Sequence, residues 1–174
     1  VLAVGFDPIT ESEGYDRDFR LHGGLEKLLA AVTAAQPNTV VVLTAGGNLD
    51  MSGWIDRARG VLHAWYPGQA GGQALAEILL GKVNPSGRLP ATFEKRLEDR
   101  SSFDSYHDGG DQRVQLSDGI FTGYRHFDRA GVEPRFPFGF GLSYTTFALS
   151  GLQLSSERLG QGQPLDVSVE VKNT

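Results

Sequence analysis

The chain has 174 residues, 40% hydrophobic and 21% charged, an ordinary globular balance able to bury one sizeable core. A formal net charge of −5 excludes a surface built to neutralise phosphate backbones, and the absence of cysteine excludes disulfides, thiolate catalysis and cysteine-ligated zinc. No apolar run approaches the roughly 18 to 20 residues that span a bilayer, so neither nucleic acid nor a membrane is expected as partner, and a neutral one such as a sugar fits better.

Residues 1–6, VLAVGF, form a short apolar run suited to a strand buried on both faces, and Asp7-Pro8 ends it. Val1 stands inside that strand without an initiator Met, so an upstream portion is expected to precede it. The charged stretch TESEGYDRDFR at 10–20 has no sustained periodicity and reads as a loop. Leu25, Leu28, Leu29 and Val32 then make one apolar stripe on a helix that ends near Pro37. TVVVLTA at 39–45 is β-branched and continuously apolar, as in a central strand covered on both sides. Gly46, Gly47 and Asn48 turn the chain, and Val61–Trp65 reads as a third strand. Pro67-Gly68 then opens a helix with core positions Leu75, Ile78 and Leu79, stopped by Gly81. Strands alternating with helices across short connections predict a layered α/β sandwich, flavodoxin-like, with a mainly parallel sheet flanked by helices.

From Pro90 onward the pattern changes. Residues 94–118 are polar and rich in Gly and Asp, a long excursion over the surface, before aromatics return in GIFTGYRHF and FPFGFGLSY. Phe136, Phe138, Phe140 and Tyr144 are expected to pack as a closing segment against the sheet. Leu165, Val167, Val169 and Val171 alternate with polar residues as in a half-buried antiparallel strand, which cannot form a stable sheet by itself. A truncated β-sandwich segment is therefore expected from about Ser150.

Four collinear segments carry a resemblance. ESEGYDR at 11–17, HAWYPGQAGGQALAEILLGKVNPSGRLPATF at 63–93, GIFTGYRHFD at 119–128 and PRFPFGFGLSYTTF at 134–147 resemble glycoside hydrolase family 3 of the β-glucosidase type. The resemblance implies that residues 1–149 are the C-terminal α/β-sandwich domain, lacking its first strands, and that 150–174 begin a fibronectin type III-like domain. It implies a retaining exo-glycosidase acting on oligosaccharides or on aryl and alkyl β-glucosides. The nucleophile would lie on an N-terminal (β/α)8 barrel missing from this chain, so the chain alone is expected to be inactive. No cofactor or metal is implied, and a periplasmic or secreted location is favoured by analogy. Two departures stand out: His22 occupies a position where Pro is common, and Asp118-Gly119 keeps an acidic residue with a shorter side chain.

Retention needs two carboxyl groups about 5 to 5.5 Å apart, one attacking the anomeric carbon and one protonating the departing oxygen before deprotonating water. Family members use the carboxylate before Gly in this loop, which transfers onto Glu13 followed by Gly14. Glu11, two residues earlier, is the alternative, and Asp16 is a third acid in the loop; without the resemblance all three read as solvated charges. Arg17 is expected to pair with Asp16 or Glu11 and shape the loop, while Tyr15 and Asp16 are weaker candidates for substrate contact. His22, His63, His107 and His126 lack metal-ligand spacing and read as structural, and Gly46-Gly47 lacks the GxGxxG pattern of a nucleotide site. The competing readings are a noncatalytic carbohydrate-binding relative, a flavodoxin-like nucleotide-binding domain, and a β-xylosidase or other β-glycosidase specificity.

Overall fold

The computed structural model describes residues 1–106, 110 and 113–174. Its first unit is a three-stranded parallel sheet in the order β1 (Leu2–Gly5), β2 (Val40–Thr44), β3 (Gly60–His63). Ala3 lies beside Val42, and Val42 in turn beside Leu62. The central strand behaves as its composition dictates: Val41, Val42 and Leu43 are all buried, so both of its faces are covered. β1 departs from the expectation of burial on both faces. Val4 and Phe6 turn into the core while Ala3 is exposed, so this chain covers only one face of β1.

Helix α1 (Gly23–Ala35) connects β1 to β2. Its stripe is anchored by Leu29, which is fully buried, with Leu25 packed against the same core, whereas Leu28 stays 43% exposed. Thr33 is buried one turn further on, and its hydroxyl donates to the Leu29 carbonyl at 2.7 Å, satisfying a polar group the core would otherwise strand. Leu43, Leu49, Met51 and Trp54 complete this core from the sheet and the connection after β2.

Helix α2 (Gly71–Leu79) begins later than Pro67-Gly68 predicted. Gly68 sits at φ 71°, outside helical geometry, and the ring of Pro67 folds back so closely that a Cβ on Gly71 would lie 2.5 Å from it. Beyond α2 the segment around Leu89–Phe93 runs beside Phe136–Phe140. Leu89 N–H donates to Phe140 O at 2.8 Å, Gly139 N–H donates to Leu89 O at 2.8 Å, and Phe93 bridges Phe136. Phe136 thereby reaches the core and stacks on Phe140 at 4.9 Å. The rest of the expected closing cluster does not bury: Phe138, Phe140 and Tyr144 are 52%, 37% and 60% exposed.

A short helix α3 (Tyr124–Ala130), absent from the sequence reading, lies between Gly123 and a left-handed Gly131, and Phe127 plugs it into the core. Part of the 94–118 excursion, including His107, lies outside the described residues. The chain ends in an antiparallel hairpin of β4 (Phe147–Leu154) and β5 (Val167–Asn173), with an irregularity between Ser150 and Gln153. Every residue of both strands is exposed, including Leu149, Leu152, Val167, Val169 and Val171. No helix among the described residues is long and apolar enough to cross a membrane.

Candidate active site

In an open parallel sheet the carboxyl ends of the strands share one edge, and side chains from the loops there converge outside it. Here β1 runs into the loop 7–20, β2 into Gly46–Asn48, and β3 into Trp65-Tyr66. The three meet at Glu11. Its Oε1 accepts from Arg17 Nε at 2.8 Å, and its Oε2 accepts from the Gly46 N–H at 3.0 Å and from the Tyr66 hydroxyl. Arg17, the other pole of the ion pair, also donates to the carbonyl of Asn48 and lies over the Phe6 ring at 4.5 Å. Arg17 and Glu11 have side chains only 15% and 20% exposed.

These contacts fix the charge state of the site. Partial burial works to raise the Glu11 pKa, but the bonds from Tyr66 and Gly46 and the Arg17 charge outweigh it, holding the carboxyl below its ordinary value. Although just over half of Tyr66 is exposed, partial desolvation of its phenol and the bond to Glu11 push its pKa up to about 12. Glu11 is thus an anion at neutral pH and Tyr66 its neutral donor.

Glu13 has a different setting. It is exposed, at the apex of the loop between Ser12 and a left-handed Gly14 at φ 89°. Asp16 is exposed as well. Tyr15 is 49% exposed, and its hydroxyl donates to the Ile9 carbonyl, which anchors the loop on itself. Arg17 takes Glu11 of its two expected partners.

His63, at the end of β3, supports the same edge. Its Nε2 lies 3.2 Å from the Gly47 carbonyl, so this nitrogen carries the proton, and its Nδ1 lies 3.4 Å from the Trp65 N–H. Burial, with Arg17 nearby, lowers its pKa against the opposing pull of Gly47 and Glu11. The fold therefore favours the neutral ring, and the unfolded chain binds the proton more readily once pH falls below 6.5. Stability should rise with pH through that window. Melting temperatures followed from about pH 5 to about pH 7 should climb for the wild type and climb less for His63→Gln; equal slopes would contradict the neutral, buried ring.

Beside Gly46 a cleft of ≈ 330 Å³ opens, lined among others by Asn48, Trp65, Thr92, Glu94 and Arg100. Glu94, 5% exposed, pairs with Arg100, and the Glu94 carbonyl accepts from Asn48 Nδ2 at 2.9 Å. Elsewhere His126 Nε2 lies 3.1 Å from the Asp99 carbonyl, while His22 is exposed ahead of α1. No group of three His, Asp or Glu residues among those described is placed to hold a metal ion. Sequence reasoning did not single out Tyr66, three residues beyond β3, whose contact with Glu11 forms only when the strand ends are brought together.

Comparison with known proteins agrees with this architecture. Over 99% of the chain, the fold superposes on a family 3 β-glucosidase from Bifidobacterium adolescentis with a TM-score of 0.90 and 38% identity, covering 25% of that protein. DesR, a β-glucosidase from Streptomyces venezuelae solved in complex with D-glucose, matches over 99% of the chain with a TM-score of 0.89 and 39% identity, covering 22% of DesR. The fold is thus one that forms part of larger β-glucosidases. The model of the glycosyl hydrolase family 3 C-terminal domain matches residues 1–144, and the chain belongs to that family. A β-glucosidase of Rhizobium radiobacter is 47% identical over 99% of the chain, and thermostable β-glucosidase B of Acetivibrio thermocellus 42% identical over 99%. The chain spans only 21% and 23% of the length of these two relatives.

Proposed function

We infer that this chain is the acid/base-bearing part of a retaining, exo-acting β-glucosidase that releases terminal β-D-glucose from oligosaccharides or from aryl and alkyl β-glucosides. The observation that carries the reading is the contrast between two glutamates in one loop. Glu11 is tethered and held charged, which unfits it to donate a proton near neutral pH, whereas Glu13 stands exposed at the strand-end edge where a substrate-bearing module can dock. In the reaction Glu13 protonates the leaving oxygen while a carboxylate on a (β/α)8 barrel attacks the anomeric carbon. It then takes a proton from the water that releases the sugar. Residues 1–149 serve as the α/β-sandwich domain and those from 150 onward open a fibronectin type III-like sandwich, a boundary that falls within β4, and the exposed apolar side chains of the β4–β5 hairpin support the latter.

The reaction class is tested by following hydrolysis of cellobiose and of an aryl β-glucoside by proton NMR with the complete polypeptide. Single glucose units should appear from the non-reducing end, first as the β-anomer, and the 174-residue chain alone should show no turnover above buffer. First release of the α-anomer, or turnover by the chain alone, would contradict it.

A further inference from the structure

The loop after β1 is fastened at three points, and the stretch between the last two is tied back at Tyr15, whose hydroxyl donates to the Ile9 carbonyl. At its near end Asp7 Oδ1 accepts from the N–H groups of Ile9 and Thr10 at 3.0 and 2.9 Å. In the middle Glu11 is bound by groups from beyond all three strands, and at the far end Arg17 joins Glu11 to the Asn48 carbonyl. Residues 12–16, including Glu13, project between Glu11 and Arg17 and are exposed. Glu11 and Tyr66 stand 55 positions apart in sequence, so their contact ties the loop to the end of β3 and not to itself. Trp65, just before Tyr66, has φ 54°, the one non-glycine residue with positive φ among those described. A bulky side chain in the left-handed region is strained and persists where surrounding structure over-determines it. Its backbone is held by His63, and its consequence is to turn the chain so that Tyr66 meets Glu11.

We propose that Glu11 is a positioning residue: a fixed anion, held by Tyr66, Gly46 and Arg17, that sets where Glu13 stands relative to the glycosidic oxygen. The proposal rests on the reading of Glu13 as the acid/base. Acid catalysis is sensitive to placement, and a shift of about 1 Å can cost on the order of 10²-fold in rate. Glu11 acts through Glu13, so its removal should matter only while Glu13 is present.

The test is a double-mutant cycle in the complete polypeptide with Glu11→Gln, Glu13→Ala and the pair combined, together with Tyr66→Phe, which leaves the Arg17 and Gly46 bonds in place. Turnover of a glucoside with a poor leaving group should fall about 10- to 100-fold in Glu11→Gln and in Tyr66→Phe, with KM changed less than about threefold. An activated aryl glucoside should be much less affected. In the Glu13→Ala background Glu11→Gln should cost less than about twofold, the non-additivity of residues acting as a unit. Should Glu11→Gln fail to fold, Tyr66→Phe combined with Glu13→Ala carries the same cycle. Full activity in both single variants, or losses that multiply in the Glu13→Ala background as a merely structural role would give, would overturn the proposal. Full activity of Glu13→Ala would instead remove the acid/base assignment beneath it.

Discussion

Glu13→Ala in the complete polypeptide should lower turnover of β-glucosides with poor leaving groups by about 10²- to 10⁴-fold, the contribution general acid–base catalysis typically makes. The loss should shrink steeply as the leaving group becomes more acidic. A departing phenolate that is stable without a proton needs no acid, so for activated aryl glucosides the slow step becomes release of the glycosyl-enzyme, which still lacks its base. Azide, a small anion that needs no deprotonation, should restore that second step and yield a β-glycosyl azide. Glu11→Ala should show no azide product, because Glu13 remains to occupy the space and repel the anion. Azide rescue of Glu11→Ala, with Glu13→Ala fully active, would move the acid two residues toward the N-terminus.

Gly5→Ala should be the most damaging single change to the fold. Gly5 pairs with Thr44 across β1 and β2, and a Cβ there would lie 2.1 Å from the Thr44 carbonyl oxygen and 2.8 Å from its Cβ. Both obstacles sit in the central strand, flanked by Leu43 and Ala45, each fully buried, so neither can swing aside as the end of a flexible side chain would. Relief requires β1 to lift from the sheet. The cost is expected at the upper end of overpacking, about 3 kcal/mol or more, which in a chain of this size lowers the melting temperature by roughly 6 to 12 °C. A chemical denaturation curve measures it, and a midpoint equal to wild type would show that the strands are not apposed this closely. Since β1 leads directly into the Glu11–Glu13 loop, the variant should also lose activity at temperatures where it remains folded.

What the sequence disclosed depended on how local the cause was. β2 was legible because TVVVLT is a continuous β-branched run, and α1 because its apolar spacing is helical; both are decided by neighbours in sequence. The start of α2 was displaced because turn composition at Pro67-Gly68 does not say that Gly68 adopts a left-handed conformation, which delays the helix to Gly71. Helix α3 spans seven residues between two glycines, too few to show a period, and is held by Phe127 entering the core. The one-sided burial of β1 depends on what packs against each face of the sheet, which no property of VLAVGF encodes. For the site, the resemblance singled out the loop and Glu13, and the pairing of Arg17 with Glu11 was among the options that local charge allowed. The contact from Tyr66 was not readable, because it exists only once β1, β2 and β3 lie in parallel register and bring their carboxyl ends together.

The most direct measurement is a crystal structure of the complete polypeptide with an unhydrolysed β-glucoside analogue. Glu13 should place a carboxyl oxygen within about 2.6 to 3.2 Å of the bridging oxygen and about 5 to 5.5 Å from the attacking carboxylate, with Glu11 still bound to Tyr66 and Arg17. Glu11 released from those partners and on the bridging oxygen, or Glu13 turned to solvent beyond reach of the sugar, would contradict the assignment.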